Sequence, residues 1–454
     1  MKRIAVMPGR FATIGRHALL FLSLLATSHA ALAQVPVPAA PLDPGTITVW
    51  TGGTIHTVSG DVIENGTVIA RDGVIEAVGQ GLTIPSTANV IDFSGKELYP
   101  GLFSAHTALG LVEIGSVRQS TDHTEVGTYN PNVRAEVALN PDSEMLPVTR
   151  ANGILTALTV PRGGRISGTS AVIQLDGWTW ESLTVKAPVG FHVNWPGVRI
   201  TKAPGGAPNV KSIDEQAQAR RDALAELNIQ FDEARAYVRA RGSAGLAGVP
   251  KPDPDPRLEA YVPVLRGDLP VIIRADDAAQ IVSALDWARD QGLRMILLGG
   301  RDAPLVADRL VEQEVPVIVT STLAIPARDY EPYDYRYTLP ERLRAAGVEF
   351  CIASEGGAAH ERRLPYHAAM AWSYGLPHDE AVRAITLYPA QILGMGDRLG
   401  SIEVGKDATL IVTDGDPLEI RTHVERAFIA GREISLESRH TRLYEKYRQR
   451  VGQN

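Results

Sequence analysis

The chain has 454 residues, with 45 Lys and Arg against 52 Asp and Glu, and a single cysteine. A net charge of −7 argues against nucleic acid as a partner, and one cysteine excludes an intrachain disulfide. With 44% apolar residues, the length suits one large catalytic-type domain plus a small one.

Residues 1–33 read as a secretory signal. Lys2, Arg3, Arg10 and Arg16 form a basic front, Ala18 to Ala26 is a short apolar core, and Ala31-Leu-Ala33 gives a cleavage pattern ahead of Gln34. The run is too short to span a bilayer comfortably, which disfavours an uncleaved membrane anchor. The expected address is periplasmic or secreted, with no membrane span after cleavage. Loss of the four basic residues leaves 41 basic against 52 acidic side chains, a mature charge of −11.

Residues 34–45 are proline-rich and read as an extended linker. From 46 to 97, short alternating runs such as Ile47-Thr-Val-Trp50 and Val74-Ile-Glu-Ala-Val78 are punctuated by Gly52-Gly53 and Asp72-Gly73, the pattern of short strands and turns. Residues 398–436 repeat that character, and residues 437–454 form a tail helix. Each β segment is too small to bury a core alone, so the two are expected to pair into one β-sandwich.

Between them, residues 98–397 alternate strand-like and helical patterns, which argues for parallel βα units. Seven strands are marked: Leu98–His106, Ile154–Val160, Pro188–Asn194, Pro270–Asp276, Arg294–Gly299, Pro316–Thr320 and Val348–Ser354. A closed barrel needs eight, and no run marks the missing fourth strand. In the irregular stretch 197–269, Ser212-Ile-Asp-Glu215 is a capping box. It opens a helix with Leu224, Leu227, Phe231, Ala234 and Val238 on one face. That helix is expected on the outside of the barrel, with a lid or subunit contact as the alternative. Cys351, in the apolar run Val348–Ala353, reads as buried packing.

Leu98-Tyr-Pro-Gly-Leu-Phe-Ser-Ala-His106-Thr-Ala108 resembles the first barrel strand of the amidohydrolase superfamily, which reads Pro-Gly-apolar-apolar-Asp-x-His-x-His. Pro161-Arg-Gly-Gly-Arg-Ile-Ser-Gly-Thr-Ser-Ala-Val-Ile173 resembles its loop after the second strand. Leu387-Tyr-Pro-Ala-Gln-Ile-Leu-Gly394 and Gly400 to Asp416 resemble its closing motifs, nearest to the imidazolonepropionase-like branch. The resemblance implies an α/β fold, a TIM-like (β/α)8 barrel with a small β-sandwich built from the N- and C-terminal segments. It also implies hydrolysis of C–N bonds by a divalent ion, zinc in the family, held at strand ends.

The chain departs from the ligand set that this resemblance implies. His106 stands at the first ligand position and Ala108 at the second. Where the family carries His-x-His, the chain reads Arg274-Ala-Asp276; where it carries His-Gly, Gly299-Gly300; and Glu355 stands near the family's last aspartate. His106 is the one histidine left at a family ligand position, so no metal site and no cofactor are expected. A site rebuilt from His106, His123 and His360 lacks ligand spacing. Arg274 is expected either to fill the cation space and pair with Glu355 or Asp276, or to turn outward to solvent.

Two function readings follow. The first is a secreted protein with a degraded metal site, a non-catalytic binding or partner subunit. Its small-molecule or peptide-like ligand would sit at the barrel mouth beside His106, His123 and Arg301, and its partner is expected to be a homologous amidohydrolase subunit. The second is an active hydrolase of amide, cyclic amide or dipeptide-like bonds with a rebuilt or metal-free site. In it Asp276 and Glu355 serve as base and acid, and Arg274 stabilises the oxyanion.

Overall fold

The computed structural model describes residues 37–198, 211–243, 253–354 and 356–452. The expected signal segment, the first linker residues and Glu355 lie outside them.

The chain enters through seven short strands, β1 (Ile47–Thr51), β2 (Thr54–His56), β3 (Val62–Ile63), β4 (Thr67–Arg71), β5 (Val74–Gly79), β6 (Asn89–Asp92) and β7 (Glu97–Pro100). It then builds an eight-stranded sheet from β8 (Leu102–Thr107), β9 (Ile154–Thr159), β10 (Ile166–Gln174), β11 (Thr184–Asn194), β12 (Val271–Ala275), β13 (Met295–Gly299), β14 (Val317–Thr320) and β15 (Phe350–Ala353). Three last strands, β16 (Leu410–Thr413), β17 (Val424–Ile429) and β18 (Arg432–Ile434), return to the first domain.

The early and late strands share two sheets, ordered β5-β4-β1-β6 and β18-β17-β16-β7-β2-β3. The join is the antiparallel pair β7–β16, with Leu98 opposite Val412. Side chains from both segments fill the space between the sheets, and the Trp50 ring meets Phe428 edge-on with centroids 5.2 Å apart. The N-terminal segment builds one wall and only half of the other, which β16, β17 and β18 complete, and this is the physical reason the segments associate.

The large sheet is a TIM-like barrel. The strands expected from the sequence are present, with two corrections. The single strand expected over Leu98–His106 is two strands. Glu97–Pro100 belongs to the sandwich, the barrel begins at Leu102, and the chain turns at Gly101, where a side chain would press to within 2.8 Å of Leu155. The missing strand is Ile166–Gln174. It is third in the barrel rather than fourth, and it runs antiparallel to both neighbours. The stretch with the character of a loop is therefore the second arm of a hairpin.

Barrel closure between β15 and β8 is made by a spliced segment. Phe103 N–H donates to Ile385 O at 2.8 Å and Ile352 N–H donates to Ala384 O at 2.9 Å. Above this seam the Glu361 carboxyl accepts from Ser104 Oγ on β8 at 2.6 Å and from Ser354 Oγ beyond β15 at 2.7 Å. The barrel interior is a dry plug that includes Phe103, Ala105, Leu158, Ile272, Leu298 and Cys351. Buried there, the Cys351 thiol is pushed up in pKa by desolvation and then by Glu349, and it packs as a small apolar group.

The helix Ile213–Gly242 starts at the expected capping box, with Glu215 N–H donating to Ser212 Oγ at 3.2 Å. It buries Leu227, Phe231, Ala234 and Tyr237 against the outer barrel core, Tyr237 rather than Val238 completing the stripe. No helix among the described residues is long and apolar enough to cross a membrane.

Candidate ligand site at the barrel mouth

A cavity of about 190 Å3 opens at the C-terminal ends of the parallel strands. Barrel register assembles it. On β11 the alternation of a strand sends Phe191 to the outer core and Gly190, His192 and Asn194 to the other face. His192 lies opposite Ile272, and Asn194 opposite Arg274. Arg274 in turn lies opposite Leu298. His106 arrives from the end of β8, where the register shifts between Ser104 and Thr107. Because β10 is antiparallel, its entry end faces the mouth, and the β9–β10 turn carries Arg162 and Ser167 into the lining. Asn194 holds that turn: its amide donates to Gly164 O at 3.0 Å and to Ser167 Oγ at 3.1 Å.

Two buried imidazoles face this space without partners. Among the described residues, His106 Nδ1 and His192 Nε2 have no hydrogen-bond partner. Burial holds His106 well below the ordinary histidine range, with Arg162, Arg274 and His192 acting the same way. Burial alone takes His192 down to about 3. Both rings are neutral at physiological pH. Arg162 is half-buried, and its Nη2 donates to Gly356 O; burial and then Arg274 lower its pKa, yet a guanidinium stays charged. Arg274 is exposed at the rim, and among the described residues its side chain has no ion-pair or hydrogen-bond partner.

The other candidate residues are placed elsewhere. Asp276 leans over the end of β13, where Arg301 N–H donates to its Oδ1 at 3.4 Å; it does not pair with Arg274 and does not line the cavity. Arg301 is absorbed into a buried network. It meets Asp277, has Asp302 at 3.5 Å, and shares Glu331 with Arg328. These contacts tie the segment after β14 to the barrel, and Arg301 does not line the cavity. His123 lies in a neighbouring cleft with Asp122, Glu125 and Arg134, its ring lowered in pKa by burial and then by Arg162. His360 is exposed in the 358–363 turn. Glu355, and with it any pairing with Arg274, lies outside the described residues. Arg162, His192 and Glu361 also stand at the barrel end, and none of them was in the sequence-derived set.

A catalytic zinc needs about three protein ligands with one position left open. Here Ala108 supplies no donor, and the two free imidazoles are flanked by two guanidiniums. No three His, Cys, Asp or Glu side chains among the described residues stand where they could share a metal. The described donor set does not fit a divalent ion.

A barrel of this topology with a flanking sandwich is the architecture of metal-dependent hydrolases, and comparison with known proteins agrees. A model of the amidohydrolase family matches residues 310–433. The chain is 23% identical over 412 residues to the imidazolonepropionase of Sphingopyxis alaskensis, covering 82% of this chain and 93% of that protein. It is 23% identical over 435 residues to amidohydrolase tasK of Hapsidospora irregularis, covering 84% of this chain but only 42% of tasK. Among solved structures, an amidohydrolase from Thermotoga maritima superposes with a TM-score of 0.76 at 26% identity, over 85% of this chain and 99% of that one. In sequence and in fold the chain is thus similar to the amidohydrolase superfamily.

Proposed function

We propose that this chain is a secreted, non-catalytic member of the superfamily that binds a small ligand at the barrel mouth and serves as a binding or partner subunit. The observation that carries the reading is the pair Arg162 and Arg274, set beside His106 and His192 where the family's chemistry calls for a cation. Two fixed positive charges raise the cost of a divalent ion there and favour an anion. The barrel-mouth loops still enclose a cavity, so binding survives the loss of metal chemistry. An active homologous amidohydrolase is the proposed partner, and the periplasm or exterior the proposed location.

The test is elemental analysis of the mature protein, purified without chelators or metal-affinity resin, alongside assays on cyclic amides and dipeptides. Absence of stoichiometric metal and of turnover supports the reading; near-stoichiometric zinc with turnover overturns it. N-terminal sequencing of the exported protein should begin at Gln34.

A second reading, a metal-free hydrolase of C–N bonds, is supported by the similarity to an imidazolonepropionase over most of the chain. It needs Glu355 as an acid–base group and Arg274 to stabilise an oxyanion. Unchanged turnover in Glu355→Gln removes it.

A further inference from the structure

We infer that the barrel-mouth cavity is a site for a small dicarboxylate, gripped by the Arg162 and Arg274 guanidiniums and contacted by the imidazoles of His106 and His192. The inference rests on the ligand-binding reading above and adds the chemistry of the ligand.

Four features of the site converge on it. First, the lining is one-signed: among the described residues that form it, two are arginines and none is Asp or Glu. A guanidinium in a partly desolvated wall attracts an anion far more strongly than it would in bulk water. Second, the arginines are available. The Arg274 side chain has no partner among the described residues, and Arg162 spends its Nη2 on Gly356 O while its Nε is buried and unpaired. This contrasts with Arg328, whose fork is already taken by Asp277, Asp302 and Glu331. Third, His106 and His192 are only 3% and 5% exposed, yet among the described residues Nδ1 of one and Nε2 of the other lack partners. A buried polar atom left unpaired costs free energy, and a ligand oxygen or water supplies what is missing. A neutral imidazole suits this role because each ring carries one N–H that donates to an anionic oxygen.

Fourth, size and floor select the kind of anion. The space of about 190 Å3 equals roughly six water volumes at about 30 Å3 each. Ile272, Leu298, Val193 and Pro161 give it apolar surface that a bare inorganic anion does not use. A few methylenes between two carboxylates satisfy both the floor and the two guanidiniums. The planar fork of arginine matches a carboxylate in two parallel hydrogen bonds. Asn194 fixes the turn that carries Arg162, so one of the two cations is held in place before the ligand arrives.

The experiment is isothermal titration of the full mature protein at low salt with malonate, succinate and glutarate, with succinamide and inorganic phosphate as comparators. At least one dicarboxylate should bind with one-to-one stoichiometry, and succinamide should not. Arg274→Gln, whose native side chain is exposed, should weaken that binding tenfold or more, and Arg274→Lys by less. The inference is overturned if none of the three binds, if Arg274→Gln binds as well as the parent, or if phosphate binds as tightly as the best dicarboxylate. Zinc content measured on the same preparation separates the two failures. A zinc-free protein that ignores dicarboxylates sinks only the ligand assignment, whereas a zinc-loaded, active one sinks the reading beneath it.

Discussion

Glu361 gives the most direct test of how the barrel end is held together. Its carboxyl is fully buried and bonded to Ser104 Oγ and Ser354 Oγ, and among the described residues no cation lies within ion-pair distance of it. Burial raises its pKa; hydrogen bonds from Ser104, Ser354 and Thr107 and the charge on Arg162 oppose that rise without cancelling it. The sign follows from linkage. A carboxyl whose folded pKa is raised keeps its proton longer in the native state, so its contribution is complete below the unfolded pKa and is lost as pH climbs through the folded one. Each pH unit between the two values removes about 1.4 kcal/mol from the parent protein. Glu361→Gln keeps the shape and cannot ionise, and its amide still satisfies both hydroxyls. It should match the parent near pH 5 and exceed it progressively toward about pH 8. Glu361→Ala should instead cost roughly 1–3 kcal/mol for each serine hydroxyl left unpaired, at every pH. Urea unfolding followed by circular dichroism, at both ends of that range, reads the difference. A Gln variant less stable than the parent by the same amount at both pH values would refute the reasoning, because it would mean that the native state uses a carboxylate there.

Other perturbations have equally definite outcomes. Asp176→Asn strips the counter-charge from Arg150, whose side chain is 3% exposed against 0% for the aspartate. The expected loss is about 3–5 kcal/mol in the same unfolding assay. Gly356→Ala sets a methyl 2.5 Å from His106 Nδ1 and 2.6 Å from Arg162 Nη2 at a φ of +77°. Backbone strain alone costs about 1–3 kcal/mol, and the displaced His106 ring should show as a shifted imidazole resonance in NMR. His378 is raised in pKa by its hydrogen bond to Asp416, 2.7 Å away. Its contribution is present below the unfolded histidine pKa and fades as pH rises through the folded one. Accordingly His378→Ala should destabilise the protein near pH 6 and have a smaller effect near pH 9, read as the change in urea midpoint.

The sequence carried the seven parallel barrel strands because each is an apolar run long enough to be buried on both faces. It did not mark β10, whose first half, Ile166-Ser-Gly-Thr-Ser170, is small and polar and has the character of a loop. Those residues are buried all the same. Small size there lets the loop from 128 to 133 lie against the strand, with Thr169 N–H donating to Val133 O at 2.8 Å. His192 was legible in principle, since polar and apolar residues alternate along Pro188–Asn194 and place it on the same face as Gly190 and Asn194. What hid it was distance: its partner in space, His106, is far away in the chain, and no spacing rule joins them. Arg301 had the reverse problem, a residue at a strand end whose side chain turns to the acids Asp277, Asp302 and Glu331 rather than to the cavity. Glu361 follows its strand within a turn, and only the fold reveals that it bridges the first and last staves.

The antiparallel course of β10 has one more consequence. In a barrel of purely parallel units every rim residue hangs from a crossover, which evolution lengthens or shortens freely. Arg162 is mounted on a hairpin instead, clamped by ladders on both arms. Its position is thus welded to the wall, and a change of ligand on this scaffold would have to come from the opposite rim, where Arg274 stands alone.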